Sequence, residues 1–213
     1  MSLYKNYIKP TMDRIAAFLL LLLLFPLLLL IMTIQWFILK DRIFFVHPRP
    51  GLHEKIIHVI KFRTMNEKKD ESGALLPAMQ RITPWGAFLR RTSLDELPQL
   101  INVLKGDLSF VGPRPLEVRY LPYYSEQQRK RHLVKPGITG LAQINGRNAI
   151  GWEEKFKYDL RYIEDIALMT DLRILLGTVR KVLAAEGVNQ DTAQTVLPFD
   201  QYMNRKRSDD QVG

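Results

Sequence analysis

The residues best suited to chemistry in this sequence are an adjacent acidic pair and a set of cations in stiff or extended segments. Asp95 and Glu96 follow Thr92-Ser93-Leu94. Adjacent residues on a helix point about 100° apart, so two carboxylates can address different parts of one site. Acids also favour a helix's first turn through the macrodipole alone, so the pair reads equally as an ordinary helix start. Arg114 sits between Pro113 and Pro115. Proline fixes its own φ and restricts the residue before it, which gives a stiff loop presenting one guanidinium. That planar fork suits two phosphate oxygens at once, although a solvated arginine in a surface turn has the same pattern. Lys61 and Arg63 alternate in Lys-Phe-Arg-Thr-Met and would face one side of a strand. Arg147 lies in Asn-Gly-Arg-Asn. Carboxylate attack on a phosphorus needs its negative charge neutralised by Arg, Lys or Mg²⁺, and Mg²⁺ prefers carboxylate and phosphate oxygens. An aspartate nucleophile would form an acyl-phosphate and divide one hard transfer into two.

The elements that must position these groups are short. Segments 43–46 and 56–60 are apolar and β-branched, and His47-Pro48-Arg49-Pro50-Gly51 between them reads as the turn of a hairpin. Residues 66–73 form a charged loop. Pro84 opens a short helix. Ser93 with Glu96 three residues on has the form of a capping box, followed by Leu97, Leu100, Ile101 and Leu104 at helical spacing, with Gly106 as the stop. Pro98 leaves that helix start uncertain by a few residues. Ser125 and Gln128 form another capping pattern, ahead of a basic run at Arg129, Lys130 and Arg131. Trp152, Phe156, Leu160 and Ile163 share one helical face. Leu172, Leu175, Leu176, Val179, Val182 and Leu183 form a stripe opposite Arg173, Arg180 and Lys181; core packing is favoured for it over a membrane surface. The tail from Asn204 is polar and reads as loose.

The chain has 213 residues, 46% hydrophobic, with a formal charge of +9. That is one domain plus a membrane segment. The positive surplus favours anionic partners: nucleic acid, acidic lipid or phosphorylated substrates. There is no cysteine, which excludes disulfides, thiolate zinc sites and cysteine nucleophiles. Residues 15–32 carry no charge, and the apolar character resumes at Trp36-Phe37-Ile38-Leu39. About 25 residues at ~1.5 Å each suffice for a ~30 Å hydrocarbon core. A signal peptide would be shorter and end in a cleavage site, which is not evident here. Lys5, Lys9 and Arg14 precede the segment and Lys40, Arg42 and Arg49 follow it, so the positive-inside tendency holds both flanks in the cytoplasm. A re-entrant helix kinked at Pro26 satisfies this; a tilted span with a tolerated proline is the alternative.

The sequence resembles the bacterial sugar transferase family, the monotopic polyprenyl-phosphate phosphoglycosyl transferases. The likeness rests on Lys61-Phe62-Arg63-Thr64-Met65, Thr92-Ser93-Leu94-Asp95-Glu96-Leu97-Pro98-Gln99-Leu100, Val111-Gly112-Pro113-Arg114-Pro115, Pro136-Gly137-Ile138-Thr139-Gly140 and Asn145-Gly146-Arg147, in that order. The resemblance implies an α+β, mostly helical fold: a re-entrant membrane helix over residues 1–40, a cytoplasmic catalytic domain over 41–190 with interfacial helices and a small hairpin, and a tail over 191–213. It implies transfer of a sugar-1-phosphate from a UDP-sugar to undecaprenyl phosphate, with UMP released, at the cytoplasmic face of the bacterial inner membrane, as a first step of glycan assembly. Asp95 matches the nucleophile and Glu96 its partner, with both carboxylates placed at Mg²⁺. Lys61, Arg63, Arg90, Arg114, Arg147 and Asp159 match positions that bind the substrate phosphates or support the site.

The sequence departs from the family's pattern at Phe25, where many relatives have Ser, at Glu54, where many have Gly, and at Ile57 and Ile60, where aromatics are frequent. The segment 70–77 resembles that of enzymes using UDP-di-N-acetylbacillosamine; galactose, N-acetylglucosamine and other sugars stay open. A basic module binding nucleic acid would explain the charge but not the acidic pair, and it lacks interleaved aromatics. An ordinary glycosyltransferase would release UDP instead of UMP.

Overall fold

A computed structural model describes residues 3–146, 150–184 and 197–212. After a π-helical turn at Tyr4–Ile8, the long helix α1 covers Lys9–Leu39, stays helical through Pro26 and closes with Lys40 in the left-handed region. Little of it is covered by protein: Leu22, Leu23, Phe25, Leu29, Leu30, Trp36 and Phe37 are exposed. The exceptions lie along both halves. Ala17 packs with Ile57, Val59, Val103 and Leu108. Ile31 packs with Phe62 and Leu89. Lys9 pairs with Asp171 at 2.7 Å, and Gln35 Nε2 donates to the Arg63 carbonyl at 2.6 Å.

Strands β1 (Phe44–Pro50) and β2 (Ile56–Phe62) form an antiparallel hairpin with Phe44 opposite Phe62 and Pro50 opposite Ile56. Of the expected turn at residues 47–51, residues 47–50 are instead strand. In a two-stranded sheet β1 has a free edge, where a proline lacking an N–H is tolerated. The turn lies over residues 51–55, closed by Gly51 N–H to the Lys55 carbonyl at 2.8 Å, with His53 and Glu54 at positive φ.

Helix α2 (Ala78–Arg81) and helix α3 (Pro84–Arg91) follow, with Thr83 accepting from Gly86 N–H as the N-cap of α3. The expected capping box at Ser93 does not form. Ser93 is left-handed (φ 57°) and its side chain caps nothing; a 3₁₀ turn at Leu94–Glu96 carries the acids instead. Helix α4 (Gln99–Lys105) begins after Pro98 and stops at Gly106, whose φ of 88° suits glycine. Strand β3 (Ser109–Val111) pairs in parallel with β4 (Gly137–Thr139), and between them helix α5 (Glu126–Arg129) has the expected Ser125–Gln128 capping box. Helices α6 (Leu141–Ile144), α7 (Trp152–Glu164), α8 (Leu168–Leu183) and α9 (Phe199–Val212) complete the described chain.

Two further expectations give way. The α8 stripe is not mainly core. Asp171 and Ile174 are buried, whereas Leu172, Leu176 and Val179 are exposed beside Met169. The tail is not loose from end to end. Phe199 is fully buried among Tyr120, Tyr124, Trp152 and Phe156, and α9 continues from it.

Candidate active site

Two glycine-rich motifs meet to build the support for Arg114. Gly112 N–H donates to the Thr139 carbonyl at 2.9 Å, and Gly137 N–H donates to the Pro113 carbonyl at 3.0 Å. A Cβ on Gly137 would lie 2.1 Å from the Gly112 nitrogen, so the close approach of the two loops excludes any side chain there. Arg131 fixes the next peptide by donating to the Arg114 carbonyl at 2.8 Å. Arg131 is itself buried against Asp159, at 2.7 Å from Nη2 and 3.0 Å from Nε, and its guanidinium lies over the rings of Tyr124 and Phe156.

Glu96 is the hub of the charged site. Its Oε1 accepts from Lys61 Nζ at 2.6 Å and from Arg114 Nη2 at 3.0 Å. Burial alone would raise the Glu96 pKa, but Arg114 and Lys61 override it and hold the carboxyl at about 2. Its neighbour behaves oppositely. Burial first, then the Glu96 charge, push Asp95 up to about 6 against the pull of Lys61, Arg90 and Arg114. Adjacent acids thus differ in role by environment: one is a fixed anion, the other a carboxylate whose charge is held at a cost and is available to an electrophile near neutral pH. Arg90 reaches this region from α3, with Nε donating to Thr64 Oγ1 at 2.8 Å. Its approach depends on Gly86, where a Cβ would sit 2.0 Å from the Thr64 carbonyl oxygen.

These groups line one cavity of about 1440 Å³. Its charged wall includes Lys61, Arg90, Asp95, Glu96 and Arg114. Its apolar wall includes Leu20 and Leu24 of α1 and Val179 and Val182 of α8. Arg63 also borders the cavity but turns from the acidic pair into ion pairs with Asp41 and Glu67. Strand β2 ends at Phe62, so the alternation that would align Arg63 with Lys61 ends one residue too early. Asp159 reaches the site through Arg131. Arg147 lies outside the described residues. Sequence reasoning missed Arg131, which reads only as part of a basic run, and Lys155, which lines the same cavity. A signal for Lys155 was present: it stands four residues before Asp159, on the same helical face.

Comparison with known proteins agrees with this architecture. The bacterial sugar transferase profile matches residues 4–185. The chain is 56% identical over 157 residues to the "uncharacterized sugar transferase EpsL" of Bacillus subtilis, covering 74% of this chain and 78% of EpsL. It is 39% identical over 186 residues to a UDP-glucose:undecaprenyl-phosphate glucose-1-phosphate transferase of Xanthomonas campestris, covering 82% of this chain and 38% of that protein. It is 34% identical over 202 residues to an undecaprenyl-phosphate galactose phosphotransferase of Salmonella typhimurium, covering 85% of this chain and 42% of that one. The chain therefore spans most of EpsL and about two-fifths of the two longer relatives. With that profile matching residues 4–185, the chain belongs to the bacterial sugar transferase family.

Proposed function

We propose that the chain transfers a sugar-1-phosphate from a UDP-sugar to undecaprenyl phosphate, releasing UMP, at the cytoplasmic face of the inner membrane. The observation that carries this reading is the mixed lining of the cavity. It holds Asp95 with its neighbouring cations and also apolar residues of α1 and α8. A charged diphosphate and an isoprenoid phosphate can both be met there. The names of the Xanthomonas and Salmonella relatives support the acceptor and the phosphosugar transfer.

In the first step an Asp95 carboxylate oxygen bonds to the phosphorus that carries the sugar. The bond from that phosphorus to the bridging oxygen breaks, and its electron pair leaves with UMP. In the second step an oxygen of the lipid phosphate bonds to the same phosphorus, and the acyl-phosphate bond returns its pair to Asp95. Lys61, Arg90 and Arg114 offset the charge that gathers on the phosphoryl oxygens, and Glu96 orients Lys61 and Arg114.

The donor set fits Mg²⁺ in one restricted sense. Among the described residues no cluster of three or more His, Asp or Glu could hold a metal. Mg²⁺ commonly takes only one or two carboxylates, with waters and substrate phosphates completing its shell. Asp95, whose charge the protein leaves incompletely compensated, and Glu96 would hold it. It would supply further charge neutralisation at the diphosphate.

The contacts of α1 support a re-entrant arrangement over a span. Both halves of the helix rest on the same catalytic body, at Lys9 and Ala17 on one side of Pro26 and at Ile31 and Gln35 on the other. Tags at both termini are expected on the cytoplasmic side; a periplasmic N-terminal tag would contradict this. Intact-mass measurement of detergent-solubilised protein, given a UDP-sugar but no lipid, tests the chemistry. The wild type should gain one phosphosugar and Asp95→Asn none. A gain that survives in Asp95→Asn would remove Asp95 as the nucleophile.

A further inference from the structure

Helix α9 lies beyond the residues that the family profile matches, yet its contacts lead to the active site. It is a polar helix of 14 residues, a length that is marginal in water without tertiary support. Phe199, Tyr202 and Met203 stand at i, i+3 and i+4 and give it one apolar face, packed on the cluster of Tyr120, Tyr124, Trp152 and Phe156. Phe199 is fully buried. Its ring centre lies 5.4 Å from that of Tyr124, 5.2 Å from Trp152 and 5.1 Å from Phe156. Two residues earlier, the Leu197 carbonyl accepts from Trp152 Nε1 at 2.8 Å. The ion pairs of α9, Asp200 with Arg119 and Lys206 with Glu153, each use a cation that is half exposed, and such pairs add little. The docking of α9 therefore rests mainly on one ring.

The rings that receive Phe199 also hold two cations of the cavity wall. The Arg131 guanidinium lies 5.9 Å from the centre of the Tyr124 ring and 5.5 Å from that of Phe156, and Lys155 Nζ lies 4.6 Å from that of Trp152. Arg131, Trp152 and Lys155 all line the cavity. Arg131 donates to the Arg114 carbonyl at 2.8 Å, and Arg114 reaches Glu96 at 3.0 Å. A continuous run of contacts thus leads from Phe199 through Tyr124 and Phe156 to Arg131, and on to the guanidinium beside Glu96. Close packing passes the loss of one ring to its neighbours. Arg131 and Asp159 are both buried, so their pair cannot absorb such a shift by turning into solvent.

We infer that Phe199 is a positioning residue for phosphosugar transfer: it seats Tyr124 and Phe156, which hold Arg131 against the Arg114 loop, and with Leu197 it fixes Trp152 in the cavity wall. This rests on the phosphosugar-transfer reading above. Phe199 touches none of the reacting groups and acts through Arg131. Arg114 meets charge that develops in the transition state, so a small displacement of it lowers turnover and leaves ground-state affinity nearly unchanged.

The test is steady-state kinetics on the full-length protein in detergent, run well below each variant's unfolding midpoint so that lost stability does not lower the rate. Phe199→Leu keeps an apolar side chain without a ring. It should lower kcat about tenfold, with KM for the UDP-sugar within about twofold of the wild type. Trp152→Phe keeps a ring but loses the bond to the Leu197 carbonyl, and should lower kcat about threefold. The double variant should lose less than the product of the two single losses, because both act on one cluster. Lys206→Ala, on the exposed part of α9, should match the wild type. Wild-type kcat in folded Phe199→Leu and Trp152→Phe would overturn the proposal. So would losses that multiply, the mark of two independent packing defects. If Phe199→Leu does not fold, Trp152→Phe decides alone, and wild-type kcat there overturns the proposal. Each comparison is a ratio to the wild type, whose released nucleotide, UMP or UDP, judges the reaction class separately.

Discussion

Two salt-bridged clusters grip Arg114 from opposite ends, and water reaches only one of them. At the guanidinium end, the side chains of Lys61 and Glu96 are 26% and 19% exposed. At the carbonyl end, those of Arg131 and Asp159 are 3% and 4% exposed. The open pair can trade partners with an incoming phosphate at little cost, because solvent and substrate both reach it. The closed pair cannot, since parting it leaves a buried charge with nothing to meet it. Like chemistry therefore serves different ends: Lys61–Glu96 tunes charge beside Asp95, and Arg131–Asp159 holds the loop that aims Arg114. Asp159 reaches Arg114 in this geometry through Arg131.

The comparison can be broken or sharpened by substitution. The largest effect should come from the open side. Asp95→Asn is expected to lower turnover by roughly 10⁴-fold or more, as loss of a nucleophile does. Its stability should move the other way. Because the folded-state pKa of Asp95 is raised to about 6, the fold favours the neutral acid, and the stability this gives is lost as pH rises through about 6. At pH 7 the amide should therefore be more stable by about 1–3 kcal/mol, read by thermal or denaturant unfolding. Activity runs in the opposite sense, rising with pH to a plateau above about 6 in the wild type.

Next in size is the closed side. Asp159→Ala leaves the Arg131 charge buried and unpaired, and should cost about 3–5 kcal/mol. Lys61→Met should cost under about 1 kcal/mol in stability, yet lower activity through loss of charge beside the phosphates. Equal stability losses would erase the distinction between the two clusters. Phe199→Ala removes a ring packed on both Tyr124 and Phe156, the rings over which the Arg131 guanidinium lies, and should cost about 3 kcal/mol. The smallest effect sharpens the open side alone. Glu96→Gln removes the second-largest cause of the raised Asp95 pKa, so the acid limb of the rate profile should move below about 6. A limb that stays in place would mean that another group sets it.

The site was more legible in the sequence than its supports were. Asp95, Glu96, Lys61 and Arg114 stand out because residue type, stiff flanking prolines and motif order all point at one anionic ligand, and the structure brings these four together. The supports depend on contacts distant in sequence. Pro48 and Pro50 read as turn residues, and they are tolerated within β1 because, among the described residues, no third strand pairs with it. Ser93 has the local spacing of a cap, but the chain enters the 3₁₀ turn through a left-handed residue that no spacing rule reveals. Arg63 was aligned with Lys61 by a period that stops where Asp41 and Glu67 take over. In the tail, a polar average hid Phe199, whose buried ring decides where the helix docks. The α8 stripe was read correctly as amphipathic, but its exposed apolar side depends on which neighbours the fold leaves out.

The central claim is phosphosugar transfer from Asp95, and the nucleotide released tests it most directly. The protein in detergent would be incubated with undecaprenyl phosphate, Mg²⁺ and a panel of UDP-sugars that includes UDP-glucose, UDP-galactose, UDP-N-acetylglucosamine and UDP-di-N-acetylbacillosamine. UMP from one donor, lost in Asp95→Asn, is the expected result and names the sugar as well. Release of UDP would contradict it and make the enzyme a glycosyltransferase that leaves both phosphates on the nucleotide.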